Sequence, residues 1–376
     1  MQVVLFCHSL VSCWNHGNVH FLRGVVRELQ ARGHTVRVLE PEDGWSRRNL
    51  VREQGEAALE RNRRACPSDC VMTYRADGLD LDQALDGADL VLVHEWNEPT
   101  LIERLGRHRL NGGRYLLLFH DTHHRALTRP AEMERCRLEG YDGVLAFGAT
   151  VREIYLRQGW ARRAWVWHEA ADLRCFRPMR DKAPEFDLVW IGNWGDEERT
   201  AELHEYLFGP IVVLGLKAAI HGVRYPERAL HWLRRRRIAF HGWLPNHRVP
   251  HALACARATV HVPRRPYARA LPGIPTIRVF EALACGIPLV SAPWDDAEGL
   301  FTPGEDFLMA SNPAGMRTAL AAVLRDPAFA AALAARGRRT IEERHSCAHR
   351  VDELLAICAS LTPERFAACP PRRAVA

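Results

Sequence analysis

Hydrophobic positions along the chain fall into two series of short apolar runs, separated by polar stretches whose apolar residues recur at helical spacing. In the first series, runs at Val3 to Cys7, Val36 to Leu39, Leu90 to Val93, Tyr115 to Phe119, Val144 to Phe147 and Trp165 to Trp167 predict buried strands. Between the first two, Phe21/Leu22, Val25/Val26 and Leu29 share one helical face and Gly33 stops the helix, so a βαβ unit opens the chain. A second series follows at Leu188 to Ile191, Ile211 to Leu214, Ile238 to Phe240, Thr259 to Val262, Leu289 to Ser291 and Phe307 to Met309. The stretch from Asp172 to Glu185, with Pro178, Lys182 and Pro184, is the predicted linker. The expected class is therefore α/β, with two Rossmann-like, doubly wound parallel-sheet domains at 1–171 and 172–345, a C-terminal helix over 346–361 and a frayed tail over 362–376.

Composition changes this picture little. A chain of 376 residues exceeds what one core usually organises, and 47% hydrophobic with 26% charged residues suits a globular protein. The opening MQVVLFCHSLV has no cationic leader, and no apolar run approaches the roughly 18 residues of a membrane span, so a cytoplasmic protein is expected. Eleven cysteines are scattered without a Cys-x-x-Cys pair, which predicts free thiols rather than a metal site. The net charge of +6 rests on arginine, since Lys182 and Lys217 are the only lysines among 51 basic residues. No nucleic-acid signature accompanies the run Arg234 to Arg237, which reads as a solvated loop or helix end. Nucleic acid is not an expected partner; peripheral contact with an anionic membrane face stays open.

Ligands of open α/β sheets bind outside the carboxyl ends of the strands, and that rule selects the candidate residues. From Leu271 to Phe307, Pro272, Gly273 and Pro275 precede Thr276, an N-cap for a helix over 276–285 that carries Ile277, Arg278 and Glu281. Its amino end and Arg278 suit phosphate oxygens, while Glu281, one turn in, can accept both hydroxyls of a ribose. Another strand runs into Gly192, Asn193 and Trp194, then Arg199, where a tight turn alone is the alternative. His241, Gly242 and Trp243 precede Asn246, read as an N-cap, and a purely structural His241 weighs equally. Lys217, Arg264, Arg265 and Arg278 are candidates for offsetting leaving-group charge. In the first half, His120 and Asp121 follow an apolar strand, and Asp121 could serve as general base in an inverting transfer, or only orient groups in a retaining one. His120-x-x-His123 lacks the helical spacing and glutamate of a zincin, so no metal is expected. The loop containing Ser12, Asn15, His16, Gly17 and Asn18 has neither G-x-G-x-x-G nor a P-loop lysine, which argues against dinucleotides and ATP hydrolysis. A bland connecting loop is the competing reading.

The Glu281 helix with its following Gly286-Ile-Pro288 turn resembles the sugar-nucleotide signature of group 1 glycosyltransferases of the GT-B fold. Arg278-Val-Phe-Glu281-Ala, Pro303-Gly304-Glu305 and the segment Arg344 to Arg350, with Ser9, Ser12, Trp14, Asn15, Gly17, Asn18 and Arg23-Gly24 at the start, are similar to the spore-maturation CgeB-like branch. The resemblance implies a metal-independent glycosyltransferase, with no cofactor, that moves a sugar from a UDP-, dTDP- or GDP-linked donor to an acceptor hydroxyl. The acceptor is a glycan, lipid-linked glycan, protein or small molecule. It further implies that Glu281 holds the ribose, that Gly192 and Asn193 line the donor site, that the base lies against His241 to Trp243, and that His120 touches the donor sugar. The Ser12 to Asn18 loop would then meet diphosphate or acceptor, and the terminal helix would cross back to the first domain. Many group 1 enzymes carry a second glutamate eight residues before the first; here that position is Gly273. Two other readings follow: a sugar-nucleotide epimerase on the same fold, and a degenerate binding or assembly module.

Overall fold

The computed structural model describes residues 1–66, 69–179 and 183–362, so Lys182 of the expected linker and nearly all of the expected tail lie outside the described residues. The chain forms two compact units. The first comprises Met1–Ser12, Phe21–Glu169 and the chain from Ser346; the second comprises Cys13–His20 and Ala170–His345. Thus a short loop after the first strand belongs to the second unit, and the helix Cys347–Leu361 belongs to the first.

The first unit is built on a seven-stranded parallel sheet in the order β3-β2-β1-β4-β5-β6-β7. In chain order these are β1 Gln2–Phe6, β2 Thr35–Pro41, β3 Val71–Tyr74, β4 Leu90–His94, β5 Leu116–Asp121, β6 Gly143–Ala146 and β7 Ala164–Val166. β4 and β5 are buried at every position, as strands covered by helices on both faces must be. Phe6 pairs with both Leu39 and Val93, and the order reverses there, which makes the carboxyl ends of β1 and β4 the switch point of this sheet. The terminal helix is tied to this unit by Trp167, whose indole N–H donates to the Arg350 carbonyl at 2.7 Å, and by Arg32, which donates to Asp352 and to the Ala348 carbonyl. Ser346 and His349 close a capping box at its start, and His345 reaches the Leu300 carbonyl within the second unit.

The second unit carries six parallel strands in the order β10-β9-β8-β11-β12-β13. They are β8 Phe186–Ile191, β9 Ala218–His221, β10 Ala239–Gly242, β11 Ala256–His261, β12 Leu289–Ser291 and β13 Leu308–Met309. Its core joins Leu188, Trp190, Ile220 and Val260 of the sheet to Leu207, Phe208 and Leu320 of the covering helices.

Two strand assignments differ from expectation. Ile211–Leu214, expected as a strand, lies in the helix Gly209–Leu214; Pro210 starts it, Gly215 ends it in the left-handed region (φ 63°), and Val213 is 66% exposed. A short apolar run does not distinguish a one-sided helix from a buried strand, and the true strand is the next segment, Ala218–His221. β3 escaped notice because it is an edge strand with its two middle residues exposed, leaving no apolar run. Among the described residues no single helix is long and apolar enough to cross a membrane, and no disulfide joins the described cysteines.

Candidate functional site

The carboxyl ends of β8, β9 and β10 converge in the second unit on two glycines that set how closely the loops approach. Gly222 (φ 155°) lies so near the Gly192 carbonyl that a Cβ there would stand 2.0 Å from its oxygen. Together with the loop from Cys13 to His16 they border a narrow cavity of about 40 Å³, walled also by Asn193, Trp243, Asn246 and Arg278. The loop is fastened by the Trp243 indole N–H, which donates to the Trp14 carbonyl at 2.6 Å, and Gly17 rests against Ile277. Asn15 and His16 thus reach the cavity; Asn18 Nδ2 is buried without a partner.

The helix Ile277–Ala284 aims its amino end at the same region. Thr276 occupies the N-cap position, but its hydroxyl bonds His261 Nε2 at 3.0 Å rather than a helix amide. His261 also meets Ser291 Oγ at 2.8 Å, and burial pushes its pKa down to about 3, so it is a neutral strut between β11, β12 and the helix. Glu281 is 1% exposed. It accepts hydrogen bonds from Arg278 and Asn246, and His20 Nδ1 lies 2.8 Å from its Oε1. Burial alone would raise its pKa, yet Arg278 and His20 outweigh that and hold the carboxyl below its usual value. A buried, ionised acceptor therefore stands one turn inside the helix start.

Arg199 completes the electrostatics. Its guanidinium donates to two backbone carbonyls, Val262 at 2.8 Å and Asn193 at 2.5 Å, and its buried Nε has no partner. Burial and the neighbouring Arg264, with Arg278 further off, lower its pKa to about 9. Like charges gathered this way favour an anion. Arg264 is the less available member, being paired with Glu198 at 3.1 Å and Asp196 at 3.9 Å, while Arg265 is paired with Glu202.

Gly273 sits at φ 83°, where only glycine is unstrained, and a Cβ on it would lie 2.7 Å from Glu298 Oε1. A carboxylate from another loop thus occupies the space into which a side chain at 273 would grow. His241 is exposed and stacks on His221 at 4.8 Å, lowering the latter's pKa to about 4 along with burial; Gly242 turns at φ 68° to deliver Trp243.

Other expected residues lie elsewhere. Lys217 precedes β9, at the amino end of that strand, and its ammonium lies over Phe186, so it cannot join groups gathered at the carboxyl ends. Trp194 is a core residue between Phe208 and Tyr225. Asn246 is not the N-cap of the next helical turn; Pro245 holds that position and Asn246 turns its amide to Glu281. In the first unit, Ser12 is buried, and its amide and hydroxyl are bound to Glu40, which also accepts the Val11 amide. His120 is buried between Trp167, Phe21 and His94. Asp121 is fully buried; it accepts the Tyr155 hydroxyl at 2.7 Å and the His123 amide at 2.9 Å. Burial and the nearby Glu95 raise its pKa above the usual carboxylate value. Glu95 itself is held by Arg125 at 2.8 Å and by Thr122.

Sequence reasoning missed His261 and Glu298 near the site and did not pair His20 with Glu281. Only their placement just after strands or at a loop turn would have flagged the first two; the His20 to Glu281 pairing spans most of the chain and leaves no local signal.

With this geometry in view, residues 174–356 match the family described as "Glycosyl transferase-like". No curated protein sequence matches the chain. Among solved structures, sucrose-phosphate synthase from Thermosynechococcus elongatus is similar at 15% identity and a TM-score of 0.66, covering 98% of this chain and 100% of that one. HepE of Anabaena in complex with UDP is similar at 14% identity and 0.66, covering 96% and 100%. The BGT protein of phage T4 in complex with UDP and Mn2+ is similar at 11% identity and 0.59, covering 96% and 99%. The chain has the GT-B fold, as the two parallel sheets and these likenesses show.

Proposed function

We propose that the protein transfers a sugar from a nucleoside diphosphate sugar, with UDP as the leaving nucleotide, to an acceptor hydroxyl. The observation that carries this reading is the pairing, on one helix, of an amino end beside Arg278 and Arg199 with the buried carboxylate of Glu281 one turn further in. The first part suits a diphosphate and the second the two hydroxyls of a ribose. The match of this half to a glycosyltransferase-like family and the UDP bound by HepE support the same reading.

Each group then has a task. Glu281 exchanges Asn246 and part of its Arg278 contact for ribose hydroxyls. The helix start and the arginines stabilise the charge that develops on the departing diphosphate, a fixed electrostatic arrangement that needs no bound metal. Glu298 takes the part of the carboxylate absent from position 273 and accepts from hydroxyls of the donor sugar. The narrow cavity requires the Trp14 to His16 loop to move aside before a nucleotide is admitted. His120 is assigned a positioning role in the first unit.

The test is incubation with UDP-, dTDP- and GDP-sugars in the presence of EDTA, with and without Mn2+, against a panel of hydroxyl-bearing acceptors. Acceptor-dependent release of UDP in EDTA is expected. A changed donor sugar without acceptor would replace this reading by an epimerase, and binding without turnover under every condition would replace it by a binding module.

A further inference from the structure

The first unit contains a second cavity, of about 290 Å³, close to the lower limit of about 300 Å³ seen for small-molecule sites. It opens at the switch point of the seven-stranded sheet, where loops after β1, β2, β3 and β4 meet, and its walls include Trp45, Trp96, Tyr74, Asp43, Asn97 and Glu98. Both indoles are backed. The His8 ring stacks on Trp45 with centroids 5.3 Å apart and planes at 11°, and the Arg125 guanidinium lies 4.0 Å over Trp96. The two indoles meet edge to face at 62°, so they form a corner, with no parallel slot for a flat aromatic ring.

The polar wall is equally definite. Asn97 is 6% exposed; its Nδ2 donates to the carbonyls of Phe6 at 2.9 Å and His94 at 2.7 Å, which fixes the amide orientation and leaves Oδ1 buried without a donor. Beside the cavity, Arg104 donates to the carbonyls of Ala76 and Leu79, and Arg48 to that of Asp43. The wall thus offers a ligand the acceptors Asn97 Oδ1 and the Asp43 and Glu98 carboxylates, next to the apolar corner of Trp45 and Trp96. A phosphate or carboxylate would meet the Asp43 and Glu98 carboxylates on this wall. An uncharged ring with one apolar C–H face and hydroxyls at its edge satisfies both walls.

We infer that this cavity binds a neutral pyranose, its C–H face against the Trp45/Trp96 corner and its hydroxyls donating to Asn97, Asp43 and Glu98. The assignment stands without the transferase reading; joined to that reading, it makes the acceptor a neutral sugar.

The full chain should be titrated with methyl glucoside, methyl galactoside and methyl mannoside, with glucuronate as an anionic control and p-cresol as an aromatic one. The readouts are tryptophan fluorescence and saturation-transfer NMR. At least one neutral glycoside should saturate in the millimolar range, with Trp45→Ala weakening it about tenfold and the surface change Asp43→Asn about threefold. Trp45→Phe should retain most of the binding, which keeps the test alive if Trp45→Ala unfolds. Absence of saturable binding by any neutral glycoside, undiminished binding by folded Trp45→Ala, or preference for p-cresol or glucuronate would overturn the inference. UDP titrated on the same samples reads the other site: sugar bound without UDP refutes the nucleotide reading and leaves this one intact, and the converse refutes this one alone.

Discussion

Replacing Glu281 by glutamine keeps the shape of the side chain and removes its charge, so it isolates what the carboxylate does. In the folded protein the carboxylate is 1% exposed and engaged by Arg278, by His20 at 2.8 Å and by Asn246 at 3.4 Å. A ribose brings two hydroxyl donors, and a hydrogen bond to a charged group is worth about 1.5–3 kcal/mol net. The longest existing contact, that of Asn246, is the one most readily given up, and some of the Arg278 contact goes with it. What is left is about 1–3 kcal/mol of binding, or roughly 5–150-fold in Kd. Glutamine can still accept with one oxygen, so Glu281→Gln should fall at about 5–30-fold and Glu281→Ala nearer the upper end. Folding stability should also drop, because Arg278 and His20 lose their partner; Arg278 is 30% exposed, which holds this loss to about 1–2 kcal/mol rather than the larger cost of a fully buried pair. Isothermal titration with UDP, UMP and uridine provides the assay, since all three share the ribose and should weaken alike. Wild-type affinity for UDP in a folded Glu281→Gln protein would refute the reasoning.

Arg199→Met should weaken UDP about tenfold and leave uridine nearly unchanged, because the guanidinium faces phosphate charge and not the nucleoside; equal losses for both ligands in titration would remove Arg199 from the diphosphate site. Glu298→Gln should lower the transfer rate at least about tenfold with UDP affinity preserved, separating a contact to the donor sugar from one to the nucleotide, and steady-state rates beside UDP titration decide it. Trp243→Phe deletes the bond to the Trp14 carbonyl and should speed association of UDP, read by stopped-flow fluorescence; an unchanged rate means the loop is held by other contacts. The pH dependence of stability has a definite sign. His261 is depressed to about 3 in the fold against about 6.5 unfolded, so between these values the unfolded chain binds more protons and stability rises with pH. Lowering pH from 6.5 to 5 should therefore cost about 2 kcal/mol from this residue alone, and urea unfolding of His261→Gln should show a correspondingly flatter slope.

How far the chain could be read without coordinates follows from the range over which each signal acts. Strands buried on both faces announce themselves as apolar runs, which is why β4, β5 and β8 lie within a residue or two of where the hydrophobic pattern puts them. Where burial is one-sided the pattern turns ambiguous, and Ile211–Leu214 and β3 are the two results: a helix with an exposed valine face and an edge strand with an exposed middle. The helix bearing Glu281 was legible because its start, its stop at Gly286 and its carboxylate all fall within a dozen residues of one another. What that carboxylate touches was not, since His20 and Asn246 reach it from far away in sequence.

The same distinction governs the candidate chemistry, and it explains why several conspicuous residues are held inside the fold. His120 and Asp121 drew attention as polar groups after an apolar strand and Ser12 as part of a polar loop, yet the fold closes over each and supplies an internal partner: Trp167, Tyr155 and Glu40 respectively. Trp194 and Lys217 were carried by adjacency to glycine or by charge, and the sheet sends one into the core and leaves the other at the amino end of its strand. Gly273 shows the converse. Read linearly it is a lost carboxylate; in three dimensions its left-handed backbone leaves the space where a Cβ would sit to the Glu298 side chain of another loop. A site of this kind is specified by which side chains a backbone conformation admits, and that information resides in the contacts between segments, where no motif of fixed spacing can record it.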